Sequence, residues 1–168
     1  MLPNKLKNYR LFGDGDNYLG KSKTVTLPKL AITGEGYRGA GMLSEVDTDM
    51  GLEKMEMEHS YGGFMREILR QFGVTKIDGT MLRFVGAYQS DDNGQVQAAE
   101  LVVRGRHREI DPGDAEVGKD TEWKVKSSLT YLKWTVDGTV EVEVDVLNMI
   151  FLVGGVDRYA EIRNALGG

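Results

Sequence analysis

Residues 34–39 read Gly34-Glu35-Gly36-Tyr37-Arg38-Gly39, and they come after an apolar run, TVTLPKLAI, at residues 24–32. The six match G-x-G-x-x-G, the turn that lays a dinucleotide pyrophosphate on a helix N-terminus. That reading needs a helix to open at the third glycine, within a strand–helix–strand unit. The residues after Gly39 are AGMLSEVDTDMG (residues 40–51), with two further glycines and no apolar stripe at helical spacing. The segment therefore reads as a glycine-permitted loop. A polar, glycine-rich stretch from 33 to 51 is long for a plain connection and marks a protruding functional excursion.

Outward from this stretch the chain reads mainly as β, in a single domain spanning residues 1–168. Leu11-Phe12, GDGDN and Tyr18-Leu19 form a first hairpin. Thr24 to Ile32 continues as strand, with Pro28 at an edge or bulge. Leu52 to His59 alternates, Met55 and Met57 on one face, Lys54, Glu56 and Glu58 on the other. Thr80–Tyr88 and Val96–Glu109 flank Ser90-Asp91-Asp92-Asn93-Gly94 as a second hairpin. A third surrounds Asp137-Gly138. A two-residue turn there would set Trp134 against Glu141, so the pattern favours a three-residue loop, Val136-Asp137-Gly138, pairing Trp134 with Val140, Leu132 with Val142 and Lys133 with Glu141. Upstream the apolar parity changes between Leu129 and Leu132, which implies a bulge near Tyr131 or a strand covered on both faces. Two short helices complete the reading. One carries Phe64, Ile68, Leu69 and Phe72, begins near Ser60 and stops at Gly73. The other is capped by Asp157, carries Tyr159, Ile162 and Leu166, and ends at Gly167.

Of 168 residues, 40% are hydrophobic and 28% charged, enough for a core and against wholesale disorder. No apolar run approaches membrane-spanning length, and the first residues, MLPNKLKNYRLF, lack the apolar stretch of a signal peptide. Cysteine is absent, which excludes disulfides and thiolate chemistry. The net charge of -5 argues against stable nucleic-acid binding, because phosphate contacts supply most of that affinity. Glycine occurs 22 times and proline 3 times, so glycine serves turns and close contacts rather than a flexible linker.

Candidate chemistry is sparse, and no catalytic, cofactor or metal site is expected. GDGDNYLG places Asp14 and Asp16 like a calcium loop but lacks the later ligands. His59 and His107 each lie in a strand, with no second imidazole at ligand spacing, and read as structural. Arg104, Arg106 and Arg108 line one strand face. In an acidic chain this row is better matched to carboxylates on a neighbouring strand or subunit than to phosphate, and Glu141, Glu143 and Asp145 form its natural mirror.

The ordered set LPNKLKNYRLFGDGDNYLG, VTLPKL, EGYRGAGM and DMGLEKMEME resembles the major tail tube proteins of contractile-tailed bacteriophages, and the tubes of R-type tailocins. VRGRHREIDPGD (103–114), YLKWTVDG (131–138) and GGVDRYAEIRNALG (154–167) extend the resemblance over the whole length. One position departs: Val146 stands after Asp145 where the family pattern has proline. The resemblance implies a β-sandwich or barrel-like subunit with one or two short helices. Six such subunits close into a ring, and rings stack into a tube inside a contractile sheath, in the virion tail, assembled in the host cytoplasm. Its partners would be other copies of itself, sheath, tape-measure, baseplate and tail-terminator proteins, with DNA passing transiently.

Open sheet edges carry unpaired N–H and C=O groups, and ring closure satisfies them by pairing identical chains. On this reading Gly36, Gly39 and Gly41 allow close backbone approach at a subunit interface, and Tyr37, Arg38 and Met42 anchor it. A channel that DNA must leave quickly should not hold phosphate, so an acidic lumen is expected, with Asp91, Asp92, Glu141, Glu143 and Asp145 as candidates. Two other readings stand beside this one: a monomeric barrel binding a small ligand, and an enzyme using GEGYRG on a nucleotide.

Overall fold

The computed structural model describes residues 1–168 and is built mostly from strands. In chain order they are β1 (Lys5–Gly13), β2 (Asp16–Asn17), β3 (Ser22–Thr26), β4 (Ile32–Tyr37), β5 (Val46–Leu52), β6 (Met55–Tyr61), β7 (Thr80–Gln89), β8 (Val96–Asp111), β9 (Trp123–Val136), β10 (Thr139–Asp145), β11 (Ile150–Val153) and β12 (Val156–Asp157). Two short helices, α1 (Arg66–Gln71) and α2 (Ala160–Ala165), complete the chain. Ten strands make one antiparallel sheet, while β4 and β5 pair only with each other.

The sheet forks on β9. Along one edge β9 pairs with β8 over nearly its whole length. Along the other its first half, Trp123 to Leu129, pairs with β6, and its second half, Tyr131 to Val136, pairs with β10. The switch falls on Thr130, which has no partner on β8: Arg104 faces Tyr131 and Gly105 faces Leu129. This is the bulge that the parity change near Tyr131 predicts. Thr130 offers its carbonyl to the N–H of Val146 at 3.0 Å, a bond that proline at 146 could not make. The bulge also presses the two backbones together. A Cβ at Gly105 would overlap the Ser128 carbonyl oxygen, so glycine is required there.

Register collects the apolar residues into rows. Leu11, Phe84, Leu101, Trp134, Val142 and Val153 face one another across six strands. Leu82, Val103, Leu132, Val144 and Phe151 form the next row. Each fully buried member contributes about 1.5–3 kcal/mol. The sheet curls, so that the Tyr9 hydroxyl of β1 meets the Ser22 hydroxyl of β3 at 2.9 Å. Tyr18 lies in the connection between β2 and β3 and packs edge-on against Tyr61, ring centroids 5.4 Å apart. The interior is closed by Met65 and Ile68, both 0% exposed.

Turn chemistry matches local sequence, with one correction. Asp14 and Gly15 both have positive φ and make a two-residue hairpin turn, the role of GDGDN. Asp137 and Gly138 do the same, at φ 47° and 84°. The third hairpin therefore has a two-residue turn, Val136 facing Thr139, and not the three-residue loop expected from the pattern. Trp134 still avoids Glu141 because β10 bulges between Val140 and Val142, which sets Trp134 against Val142, Leu132 against Val144 and Lys133 against Glu143. The strand expected over Thr24 to Ile32 is interrupted around Pro28: β3 stops at Thr26 and β4 starts at Ile32.

The helices are shorter and barer than their stripes imply. Ser60 is a buried strand residue, not a cap, and α1 is capped by Met65 without a side-chain hydrogen bond. Gly73 does take the left-handed conformation expected after a helix. Of the predicted stripe only Ile68 is buried. Phe64 is 70% exposed, lying edge-on to Trp123, and Leu69 and Phe72 are exposed. In α2 no residue is buried, and Asp157 accepts the Tyr159 N–H while pairing with Arg163 at 2.5 Å.

The two histidines meet inside the core. His59 contacts the Tyr61 hydroxyl at 2.6 Å and the Ser127 hydroxyl at 2.9 Å; His107 contacts the same Ser127 hydroxyl at 2.8 Å and Gln71 Oε1 at 2.8 Å. Gln71 Oε1 only accepts, so His107 carries its proton on Nε2, and its bare Nδ1 accepts from Ser127. Ser127 in turn accepts from Nε2 of His59, whose Nδ1 accepts from Tyr61. One directional chain satisfies every member with both rings neutral. Burial pushes His59 down to about 3, helped by the neighbouring His107, and His107 down to about 4.

Gly105→Ala should lose about 1–3 kcal/mol of stability in denaturant titration through overpacking, while Gly63→Ala, which meets nothing within 4 Å, should change it little. The histidines give a second test. Above pH 6.5, the ordinary histidine value, the neutral rings impose no cost. As pH falls toward about 4 the unfolded chain takes up protons that the folded core refuses, removing about 1.4 kcal/mol per histidine per pH unit. Thermal melts should therefore show the midpoint falling between about pH 6.5 and 5, before most carboxylates titrate. A flat midpoint there would refute this account of the core.

Candidate assembly surfaces

The excursion at 33–51 is a β-hairpin rather than an open loop. Tyr37 faces Val46, Gly36 faces Asp47 and Gly34 faces Asp49, and every residue of β4 is exposed. Its tip is tied locally. Met42 donates its N–H to the Gly39 carbonyl at 3.2 Å, the Gly39 N–H reaches the Met42 sulfur at 3.0 Å, and Arg38 donates to the Met42 carbonyl at 3.3 Å. GEGYRG is thus one strand and the start of a tight tip, with no helix after it. The glycines serve different ends within the chain. Gly36 lies under the Glu45 side chain, Gly39 under the Tyr37 ring, and Gly41 takes φ +87°. The neighbours of Gly36 and Gly39 are side chains, not another backbone. Tyr37 and Leu43 remain open to solvent, Leu43 at 97%.

The sheet leaves edges unpaired. From Lys5 to Arg10 the far edge of β1 meets no strand, and β12 covers only Leu152 and Val153 of β11. β3 pairs only with β6. Unpaired edges of this kind present the backbone groups that strand addition between chains requires.

The face opposite the core is charged. Arg83 donates twice to Glu100, at 3.1 and 2.9 Å, and lies 5.0 Å over the Phe12 ring. Met81, Arg104, Tyr131 and Asp145 form a row across four strands, and the Tyr131 hydroxyl donates to Glu143 at 2.5 Å. Burial and that bond raise the Tyr131 hydroxyl well above its ordinary value. Arg104 and Arg106 therefore share a face with Glu143 and Asp145 instead of mirroring them from elsewhere. None of Arg104, Arg106 and Arg108 forms an ion pair within the chain. Arg108 leaves the row, because β8 bulges between His107 and Glu109. Glu141 is the bulge residue of β10. Asp91 pairs with Lys7 at 2.8 Å, and Asp92 lies 3.9 Å from the N-terminal ammonium, so the β7–β8 turn is partly compensated. No group of three His, Cys, Asp or Glu residues is arranged to hold a metal ion.

A further surface was invisible in the sequence. Where β6 and β10 diverge, an apolar cleft of roughly 1020 Å³ opens between Leu52, Met55, Val144, Phe151, Val153 and Ile162. No local pattern signals it, because its walls come from the hairpin root, four strands of the sheet and α2.

Comparison with known proteins places these surfaces in context. The family model for phage tail tube protein FII matches residues 3–167. The chain is 44% identical to the tail tube protein of Escherichia phage P2, over 99% of this chain and 98% of that protein. It is 39% identical to the major tail tube protein of Serratia phage KSP20, over 99% and 97%. Two chains from an extracellular contractile injection system share the fold at low sequence identity. One is from its sheath/tube terminator (TM-score 0.59, 5% identical, 78% of this chain and 95% of that chain) and one from its sheath–tube complex (TM-score 0.57, 7% identical, 78% and 90%). With nearly the whole chain matched, this protein belongs to the phage tail tube protein FII family, structural components of contractile tails.

Proposed function

We propose that the chain closes into six-membered rings that stack as the inner tube of a contractile tail, in a phage or a tailocin. The observation that carries this reading is the set of unfinished surfaces on a subunit with a complete core: an open β1 edge, a thinly covered β11 edge and a free-standing hairpin. An isolated two-stranded hairpin is marginal in water and needs a surface to lie on. A head-to-tail contact between identical chains closes laterally as a ring, and along the axis it propagates as a tube. The β4–β5 hairpin is the contact arm, with Tyr37, Arg38 and Met42 as its anchors and Gly36, Gly39 and Gly41 keeping it thin.

Sheath and tail-terminator proteins are the proposed outer partners, consistent with the assemblies from which the two injection-system chains come. Tape-measure protein and DNA would occupy the channel in turn, and baseplate proteins would close one end, with assembly in the host cytoplasm. The charged sheet face is the proposed channel lining. Glu143 and Asp145 would supply its carboxylates, Glu141 and the Asp91-Asp92 turn would add to them, and Arg104 and Arg106 would moderate the charge. A lining of mixed sign with Tyr131 and Glu143 bonded together offers phosphate no continuous cationic track.

Negative-stain microscopy of concentrated purified protein should show rings or tubes, whereas a species that stays monomeric at every salt and pH would overturn the proposed assembly. Gly39→Trp should keep the native circular dichroism spectrum and lose assembly. In a reconstruction of the tube, carboxylates should be among the side chains facing the channel; a channel lined mainly by Arg104, Arg106 and Arg108 would overturn the proposed lining.

A further inference from the structure

The cleft at the fork of the sheet is an apolar surface that the subunit leaves open. Leu52 and Ile32, at the root of the hairpin, form one wall. The hairpin tip is carried away from that wall by six residues of β4, roughly 20 Å at about 3.3 Å per residue. The tip of the same hairpin therefore points away from the cleft and does not fill it.

We propose that the occupant is the hairpin tip of a second copy of this chain: Tyr37, Leu43 and Val46 of one subunit seat in the cleft between β6, β10, β11 and α2 of the next. This rests on the assembly reading above and names the surface that receives the arm. Three features of the molecule fit tip to cleft. The tip presents three exposed apolar side chains on a narrow, glycine-rich turn, and the cleft walls are mostly apolar. Arg38 at the tip has only a backbone carbonyl as partner, and Asp49 in the cleft lining, which also carries Glu53, Lys54 and Arg158, is in no ion pair. The arm's root forms the cleft wall, so filling one cleft places the next arm beside the next cleft. The contact is heterologous and self-propagating, as a ring or stack of identical subunits requires.

The absence of cysteine makes the test clean. Leu43→Cys and Ile162→Cys change exposed positions, one at the tip and one at the cleft. The two variants, one enlarged by a tag, are mixed under assembling conditions and oxidised. A disulfide-linked heterodimer should dominate over either homodimer, and Leu43→Asp in the otherwise native chain should abolish rings while leaving the circular dichroism spectrum intact. Rings on the grid without the mixed disulfide would overturn the contact alone. So would a mixed disulfide from Phe72→Cys with Ile162→Cys in place of Leu43→Cys, since exposed α1 would then be the occupant. A native chain that never assembles would overturn the assembly reading and this contact with it.

Discussion

One strand carries the architecture. β9 serves two partners along a single edge, β6 before Thr130 and β10 after it, while β8 runs along the other. A regular strand could not do this, because its partners would collide. The extra residue at Thr130 turns the strand, sends β6 and β10 apart, and forces the backbones so close at Gly105 that no side chain is tolerated. The curl of the sheet, the enclosed core and the cleft at the fork all depend on that one irregularity.

The core beneath the fork is finished, and its polar histidine cluster is satisfied by a directional chain from Tyr61 through His59, Ser127 and His107 to Gln71. Uncharged imidazoles let this chain sit in apolar surroundings, where an ionised ring would be costly. It also ties α1 to the sheet, since Gln71 ends that helix. Helix α1 therefore keeps its place although most of its apolar stripe faces outward.

A complete interior beside incomplete borders is what a building block of a tube requires. Such a subunit keeps hydrogen-bonding edges and apolar surface in reserve for its neighbours. Here the reserve is divided. The β1 and β11 edges leave backbone groups unpaired, the β4–β5 hairpin carries exposed apolar side chains, and the proposed assembly uses the cleft as the receptor for that arm. The charged sheet face belongs to neither group: the Arg83–Glu100 pair and the Tyr131–Glu143 bond are made within the chain, and Arg104 and Arg106 beside them are in no ion pair.

Much of this was legible in the residues alone, because it depends on near neighbours. Alternation placed Met55 and Met57 inward, and Asp14-Gly15 and Asp137-Gly138 marked their turns. The parity break before Leu132 betrayed the bulge near Tyr131, and the ordered motifs from LPNKLKNYRLF to GGVDRYAEIRNALG carried the family. What escaped depends on distant chain segments. The register of the third hairpin was settled by a second bulge at Glu141, which local spacing cannot distinguish from a longer loop. Met65 lies outside the helical stripe, yet the non-helical cap before α1 turns it into the core, while Phe64 and Phe72 within the stripe are left exposed. His59 and His107 share no ligand spacing in sequence, and only the pairing of β6, β8 and β9 brings them to one serine. The sequence by itself determined strands, turns and kinship, since these rest on local sterics and periodicity. The fork, the histidine chain and the cleft were decided by tertiary structure, since each exists only where strands far apart in the chain are forced together.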